Sequence, residues 1–248
     1  MTDEVGRTMN WNQVSKKVSM PVLTQGRGTL DYLRNKYKTK NVQEGYLRIG
    51  QQLNNSQMQY SFNPLVVGNE AVTDVKLDKN DIFAVTRIGL FLSNRTLSNP
   101  GNEQLLTFPA GSSTSGAPAG LYQSGVAIND LYCIYNGFLN IVVNTVQIYD
   151  KLDTMRFLYV PNTQSNSQTG INATPAYSYN FANEREYNKV FYPLKNLLEL
   201  SGAGQNQITL NIPGYTGMGI QGTTTTTTAN FVSLYFDGFL VKNVAYNR

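Results

Sequence analysis

Two close pairs of carboxylates come nearest to a spacing that could support acid–base chemistry. They are Asp150 with Asp153 and Glu184 with Glu186. Paired carboxylates on either side of a scissile bond carry out glycoside hydrolysis. Here, however, Asp150-Lys151-Leu152-Asp153 is typical of a turn between strands, and Glu184-Arg185-Glu186 of a solvated segment. We therefore expect neither pair to be catalytic.

Oxygen-bearing side chains also cluster at Asp78, Asn80 and Asp81. Carboxylate and amide oxygens are ligands for hard cations such as calcium, but the spacing does not match an EF-hand loop. A turn between two strands is the favoured interpretation, with calcium binding as the alternative.

Histidine is absent from the chain, and Cys133 is its single cysteine. A Ser-His-Asp or Cys-His site, a Cys/His zinc site and a haem histidine ligand therefore all lack their central side chain. Cys133 lies among Tyr132, Ile134 and Tyr135, where a cysteine is typical of a small buried hydrophobic residue. We expect no enzyme, no cofactor and no structural metal.

A glycine-rich segment, Gly217-Met218-Gly219-Ile220-Gln221-Gly222, satisfies the GxGxxG pattern of dinucleotide-binding proteins. That motif works by opening a helix whose N-terminus holds pyrophosphate. Here six threonines follow, Thr223 to Thr228, and β-branched threonine favours extended chain. A glycine-rich loop is the better interpretation.

The composition favours a β protein with neutral polar loops. Charged residues make up 15% of the 248 residues, against about 25% in an average protein. Charges are depleted, and Tyr and Phe enriched, where protein surfaces meet. We find no membrane-spanning run and no signal peptide, so we expect the chain to be made soluble in the cytoplasm.

The basic charge is concentrated at the N-terminus, which we predict to be an arm over residues 1–44. Residues 1–48 hold nine Lys or Arg and four acids, a net charge of +5, against +4 for the whole chain. Thr29 to Lys38 is predicted to be a short helix capped by Thr29. The arm is either simply solvated or faces the phosphates of lipid or nucleic acid. The candidate residues for that contact are Lys16, Lys17, Arg27, Arg34, Lys36, Lys38 and Lys40.

The segment Leu131 to Val160 contains thirty residues of strand-forming side chains broken only by turn chemistry. Asn136-Gly137 predicts a type I′ hairpin turn between two aromatic-rich strands. The apolar parity then changes between Val143 and Val146, which predicts a second tight turn or a bulge at Asn144-Thr145.

A similar pattern occurs near the C-terminus, where Leu234 to Asn243 reads LYFDGFLVKN and Asp237-Gly238 takes the place of Asn136-Gly137. Two interpretations stay open. These are either unrelated hairpins or two similar β-units in tandem. The polar run from Pro161 to Pro175 is the best boundary between such units.

About a dozen strands are predicted over the chain, with no helix long enough to cover a parallel sheet. An all-β sandwich or barrel follows. The remaining predicted strands are Tyr46 to Leu53, Gln57 to Phe62, Val72 to Leu77, Ile82 to Leu92, Gln104 to Phe108, Tyr177 to Phe181, Tyr187 to Tyr192, Gln207 to Ile212 and Phe231 to Phe236, with Leu194 to Leu200 as helix or strand.

Four segments carry a resemblance: Ile82 to Leu92, Ile134 to Leu158, Gln207 to Gly214 and Ala229 to Asn243. With them the chain resembles the double jelly-roll major capsid proteins of tailless, membrane-containing bacteriophages, of corticovirus-like or finnlakevirus-like type. The resemblance implies a double jelly roll, with one sandwich at 45–160 and another at 161–248. The alternative is a single jelly roll with a long N-terminal arm, because about twelve strands are fewer than two eight-stranded sandwiches need.

The resemblance also implies the function: a structural protein of the virion, forming homotrimeric capsomers and then an icosahedral shell over an internal membrane. Partners would be copies of itself, other virion proteins and, through the arm, membrane or packaged nucleic acid. The alternatives are a single jelly-roll vertex or minor capsid protein, and a receptor- or glycan-binding β-sandwich of a spike.

Overall fold

The computed structural model describes residues 27–38, 41–68, 71–98, 101, 103–109, 128–159, 189–216, 218–221 and 228–244. The chain divides into two compact units, Met1–Lys40 and Asn41–Arg248. In the described ranges, no helix combines the length and apolar character needed to cross a lipid bilayer.

The first unit contains helix α1 (Arg27–Tyr37), which confirms the predicted helix. The predicted cap at Thr29 is wrong, because the helix begins two residues earlier and Thr29 lies inside it. Leu33 is fully buried. Arg34 and Lys36 occupy the last turn, where positive charge interacts favourably with the helix dipole. Lys38 follows with a φ of 48°, a left-handed conformation that commonly ends helices.

The described part of the second unit is built from strands, which confirms the all-β class. In chain order these are β1 (Val42–Gln52), β2 (Gln59–Phe62), β3 (Ile82–Thr96), β4 (Gln104–Leu106), β5 (Phe138–Val143), β6 (Val146–Asp153), β7 (Tyr192–Ser201), β8 (Asn206–Asn211) and β9 (Thr228–Val241). A one-turn helix α2 (Ile128–Leu131) and 3₁₀ turns at Tyr132–Ile134 and Thr154–Phe157 complete the elements.

The strands form two antiparallel sheets. One has the order β1-β9-β3, and the far edge of β3 pairs first with β7, at Ile82 to Ile88, and then with β4, at Leu92 to Asn94. The other has the order β2-β8-β5-β6. Alternate residues of both sheets point into one apolar core, as expected when two sheets pack face to face. Examples are Leu47, Leu90 and Leu234 from the first sheet and Phe62, Ile141 and Leu210 from the second.

The two sheets do not follow the predicted division between residues 160 and 161. Strand β9 lies between β1 and β3, and β8 lies between β2 and β5, so each sheet combines strands from both predicted sandwiches. The described strands therefore form one sandwich rather than two in tandem. The physical reason is that Val232, Leu234 and Phe236 of β9 complete the core begun by the early strands. Neighbouring strands along the chain are not always partners in a sheet.

The hairpin predicted at Asn136-Gly137 is wrong, because Tyr132–Ile134 forms a 3₁₀ turn and not a strand. The second predicted turn is confirmed. Asn144 and Thr145 have φ angles of 49° and 67° and join β5 to β6. Two successive positive φ angles are characteristic of the type I′ turn, whose twist matches that of the flanking strands.

The predicted turn at Asp237-Gly238 is also wrong, since both residues lie inside the continuous strand β9. Gly238 is needed there because β3 bulges between Val85 and Arg87, and a side chain at Gly238 would collide with the carbonyl oxygen of Ala84. The two segments of similar sequence are therefore not two copies of one hairpin.

Most of the other predicted strands are confirmed, and Leu194 to Leu200 forms part of strand β7. Val72 to Leu77 makes only isolated bridges, and Asp150 to Asp153 is strand rather than turn, bulged at Lys151 with a φ of 51°. Pro161 to Pro175, Tyr177 to Phe181 and the threonines before Thr228 lie outside the described residues.

Candidate functional site

The outer face of the five-stranded sheet carries a regular array of side chains set by the strand register. Gly50 of β1 pairs with Ser233 of β9, which in turn pairs with Phe91 of β3. The adjacent rows hold Arg48 and Tyr235 on one side and Phe231 and Ser93 on the other. Gly50 and Ser233 are small and leave room above this row for side chains that come from loops.

Glu103 is the central residue of a buried ionic cluster above this array. Its carboxylate accepts hydrogen bonds from Arg48, from the hydroxyl of Ser93 and, at 3.2 and 3.3 Å, from Nη2 of Arg95. The side chain of Glu103 is only 2% exposed. Charge-assisted bonds of this kind are stronger than neutral ones, and they fasten the segment before β4 across the sheet.

Both arginines of the cluster donate hydrogen bonds to Glu103 through their terminal nitrogens. Their Nε atoms are buried without a hydrogen-bond partner in the protein, so the bonds to Glu103 matter the more for holding them in place. The guanidinium of Arg95 also lies 4.0 Å from the ring centroid of Phe231, and that of Arg48 lies 5.6 Å from the centroid of Tyr235. Cation–π contacts add to the attraction.

Asp74 brings a second carboxylate to the same place from another loop. Its Oδ1 accepts a hydrogen bond from the backbone N–H of Gly50 at 3.1 Å, and its Oδ2 lies 3.7 Å from Nζ of Lys76. Burial raises the pKa of Asp74 above its ordinary value of 3.8, against the opposing effects of the Gly50 hydrogen bond and the nearby cations. The loop that carries Asp74 is thereby attached to the edge of β1.

An aromatic cluster covers the neighbouring part of the same face. Phe191 packs edge-on against Phe91 and Tyr235, with ring centroids 5.8 and 6.4 Å apart. It also lies over Gly89, where a Cβ atom would be 3.0 Å from the Phe191 ring. Val190, Leu105 and Tyr159 complete the cluster. The outer face of this sheet is thus shielded by side chains of the same chain.

The outer face of the four-stranded sheet is different, since three of its strands, β2, β5 and β8, contain no charged residue. The register places Gln59, Asn211 and Phe138 in one row, and Ser61, Thr209 and Asn140 in the next. Gln59 and Ser61 are exposed, and Phe138 and Asn140 are half-buried. Thr209 is buried. These three strands thus present a neutral surface suited to hydrogen bonding and apolar contact rather than to proton transfer.

Of the seven basic residues proposed to face phosphate, the structure describes the side chains of Arg34, Lys36 and Lys38, and all three are exposed. Lys36 Nζ lies 5.7 Å from the ring centroid of Tyr32 and 5.3 Å from that of Tyr37. Arg27 lies in α1, without a described side chain. Lys16, Lys17 and Lys40 are outside the described residues.

Of the two carboxylate pairs considered in the sequence, the structure describes Asp150 and Asp153, which both lie on strand β6. Asp153 caps the following 3₁₀ turn by accepting a hydrogen bond from the N–H of Met155 at 2.9 Å. Glu184 and Glu186 lie outside the described residues. Asp81 accepts a hydrogen bond from the N–H of Asn243 and ties the turn before β3 to the end of β9. Where the chain is described, we find no group of three acidic or cysteine side chains positioned to hold a metal ion.

Cys133 is buried, with its sulfur 3.8 Å from that of Met218, and burial raises its pKa to about 12. This agrees with the interpretation of Cys133 as a small hydrophobic residue, because a reactive thiol needs a lowered pKa.

Sequence reasoning missed the ionic cluster entirely. Glu103 is 55 residues from Arg48 and 10 from Ser93, and no local motif connects them. The available signal was Arg48, an arginine inside the predicted strand Tyr46 to Leu53, because an arginine that a sheet buries must find a carboxylate.

Comparison with known proteins identifies no relative. No protein-family model matches the chain, and neither a curated protein nor a solved structure resembles it significantly.

Proposed function

We propose that the chain is a structural protein of a virion, built on a single jelly roll and assembling with copies of itself. The observation that carries this proposal is the pairing of the strands. Among the strands of the described residues, with the short β4 left aside, the first pairs with the last, the second with the seventh, the third with the sixth, and the fourth with the fifth. This nesting is the pattern of an eight-stranded jelly roll, a fold common in viral capsids.

The fold alone does not decide the function, because lectins and cupins also use jelly rolls. The surface supports assembly. The body from residue 41 onward has 12 basic and 13 acidic residues, a net charge of −1. One outer face bears no charge on three strands. Copies of such a body meet without strong mutual repulsion and desolvate few ions when they pack together.

The double jelly roll is the weaker form of this proposal, since a single sandwich uses both early and late strands of the chain. The single jelly-roll coat or vertex protein fits the pairing better. In either form the protein would be made in the host cytoplasm and end in the virion.

The basic arm is proposed to contact phosphate on the inner side of the shell. This proposal is supported by Arg34, Lys36 and Lys38, which are exposed on or just after α1. Each cation close to such a surface contributes about 1 kcal/mol. Phosphates of lipid headgroups and of packaged nucleic acid share this chemistry.

The proposal is tested by light scattering on the purified full chain and on a variant that begins at Asn41. We expect the full chain to form capsomers or particles. The shortened chain should keep the circular dichroism spectrum of a β protein and form capsomers but not particles, because both sheets lie within Asn41–Arg248. A full chain that stays monomeric at millimolar concentration, above all one that binds glycan, would overturn the proposal.

A further inference from the structure

The ionic cluster above the five-stranded sheet holds more positive than negative charge. Arg48, Arg95 and Lys76 each act on the pKa of Asp74, so all three cations lie near its carboxylate, and Glu103 is the second carboxylate of the cluster. The side chains of the three cations are only 14%, 5% and 11% exposed. Among the described residues, three buried cations therefore face two carboxylates. A buried charge is costly unless an opposite charge compensates it.

Three polar groups of the same cluster are hydrogen-bond donors with no acceptor among the described residues. They are Nε of Arg48, Nε of Arg95 and the hydroxyl of Ser233, and Ser233 is fully buried. A guanidinium nitrogen can only donate, and a serine hydroxyl can donate as well. Because buried polar groups in folded proteins are almost always hydrogen-bonded, these three donors require an acceptor.

The strand register brings these donors together above Gly50. Arg48 lies two residues before Gly50 on the same face of β1, and Ser233 of β9 is the partner of Gly50. A Cβ atom at Gly50 would lie 3.1 Å from Nη2 of Arg95 and 3.4 Å from Oγ of Ser233. Polar groups from β1, β9 and β3 therefore converge at a residue that has no side chain of its own.

We propose that a small monovalent anion, such as chloride, binds between the guanidinium groups of Arg48 and Arg95 and the hydroxyl of Ser233. Such an ion supplies both an acceptor for the three donors and the negative charge that the described carboxylates do not provide. A water molecule has too few lone pairs to accept from all three donors, and it would leave the charge uncompensated. The burial of Arg95 and Ser233 excludes a polymer such as a peptide or a nucleic acid.

The bound ion would join β1, β3 and β9 on their outer face. A ligand that binds the folded chain and not the unfolded one raises stability with its concentration. Thermal unfolding of the full chain in sodium chloride and in sodium gluconate of equal concentration measures this effect, because gluconate is too large for the site. Once the site is saturated, chloride should raise the unfolding midpoint by about 5 °C or more relative to gluconate.

A single hydroxyl provides the matched pair of variants. Ser233→Ala removes one donor to the ion and little volume, so the chloride concentration that gives half of the rise should increase roughly tenfold. The control is Thr209→Val, which removes a hydroxyl of similar burial from the other sheet and should leave that concentration unchanged. Comparing the two variants removes the general effect of salt on stability, because both experience it equally.

Bromide locates the ion directly. In crystals grown from sodium bromide, we expect an anomalous peak within hydrogen-bonding distance of the Ser233 hydroxyl and both guanidinium groups, and no such peak in Ser233→Ala. The inference is overturned if density for a water molecule or for a carboxylate of this chain occupies the position, or if chloride stabilises the protein no more than gluconate does. None of these measurements depends on self-assembly, so their failure leaves the proposed function standing.

Discussion

The outer faces of the two sheets differ in what covers them. Above the five-stranded sheet, Glu103, Asp74 and Phe191 arrive from three separate loops and bury the array of side chains beneath them. Above the four-stranded sheet, Gln59 and Ser61 are exposed, Phe138, Asn140 and Asn211 are half-buried, and Thr209 is buried. Among the described residues, the outer face of the five-stranded sheet is therefore covered more fully than that of the four-stranded sheet.

The chemistry of each face matches this difference. A buried face can hold charge only when each ion is paired, which is why Arg48 and Arg95 converge on one carboxylate. A face that meets other protein surfaces does better without ions, because each one would lose its hydration on contact. The absence of charge from β2, β5 and β8 is consistent with the assembly proposed above.

The largest change in the free energy of unfolding should come from removing the charge of Glu103. Glu103→Gln removes the carboxylate that hydrogen-bonds Arg48 and Arg95 directly and leaves Asp74 as the remaining acid near these buried cations, which we expect to lower the free energy of unfolding by about 3 to 5 kcal/mol. Urea denaturation at pH 7, followed by circular dichroism, measures the loss.

The control lies on the same outer face. Arg87 and Asp237 form a more exposed pair, with side chains 28% and 22% exposed, so Asp237→Asn should cost about 1 kcal/mol or less. Replacing the whole cluster by Arg48→Met, Arg95→Met and Glu103→Leu should recover most of the stability, because apolar residues of similar volume substitute well for buried ions. Equal losses for Glu103→Gln and Asp237→Asn would mean that burial does not distinguish the two pairs.

The next effect compares two phenylalanines, one from each face. Phe191 is 4% exposed and packed against Phe91, Tyr235 and Gly89, so Phe191→Ala should cost about 3 kcal/mol. Phe138 is half-buried on the four-stranded sheet. Phe138→Ala should therefore lower the free energy of unfolding of the monomer by only about 1 kcal/mol. Thermal unfolding of both variants at low protein concentration measures the difference.

This second comparison can also fail in an informative way. A greater loss at Phe138 than at Phe191 would show that the four-stranded face is covered within the chain and is not an open surface.

The strands were predictable because their signal is local. The alternation in β5 and β8 and the turn at Asn144-Thr145 follow from the two-residue period of the pleat and from residues that accept positive φ. The pairing of the strands could not be predicted, because the sequence of β9 alone does not indicate that it lies between β1 and β3. The turn predicted at Asp237-Gly238 was wrong for a related reason. Glycine suits a turn and a position beside a bulge equally well, and only the bulge in β3 decides between them.

The ionic cluster was even less predictable from local sequence than the pairing of the strands. Glu103 comes from a polar loop, and its three partners lie on two strands that a third strand separates. The sequence contains the charges but not the fold that brings them together, and only the pairing of β9 with both β1 and β3 sets their distance.

The smallest effect concerns Asp74 and is seen in its pH dependence. Burial raises the pKa of Asp74 above 3.8, so the folded protein binds this proton more tightly than the unfolded chain does. The stability that Asp74 contributes is then fully present below pH 3.8 and is lost as the pH rises through the raised pKa of the folded protein.

Asp74→Asn keeps an acceptor for the N–H of Gly50 and cannot titrate. We therefore expect a change of less than about 1 kcal/mol at neutral pH, with the stability of the variant relative to the parent increasing from pH 3 towards pH 7. Urea midpoints across that range measure the trend, with Gln207→Asn on the four-stranded sheet as a control that should show none. A relative stability that instead decreases as the pH rises would mean that Lys76, Arg95 and Arg48 stabilise the carboxylate by more than burial destabilises it, and the cluster would then be an attractive ion network rather than a desolvated one.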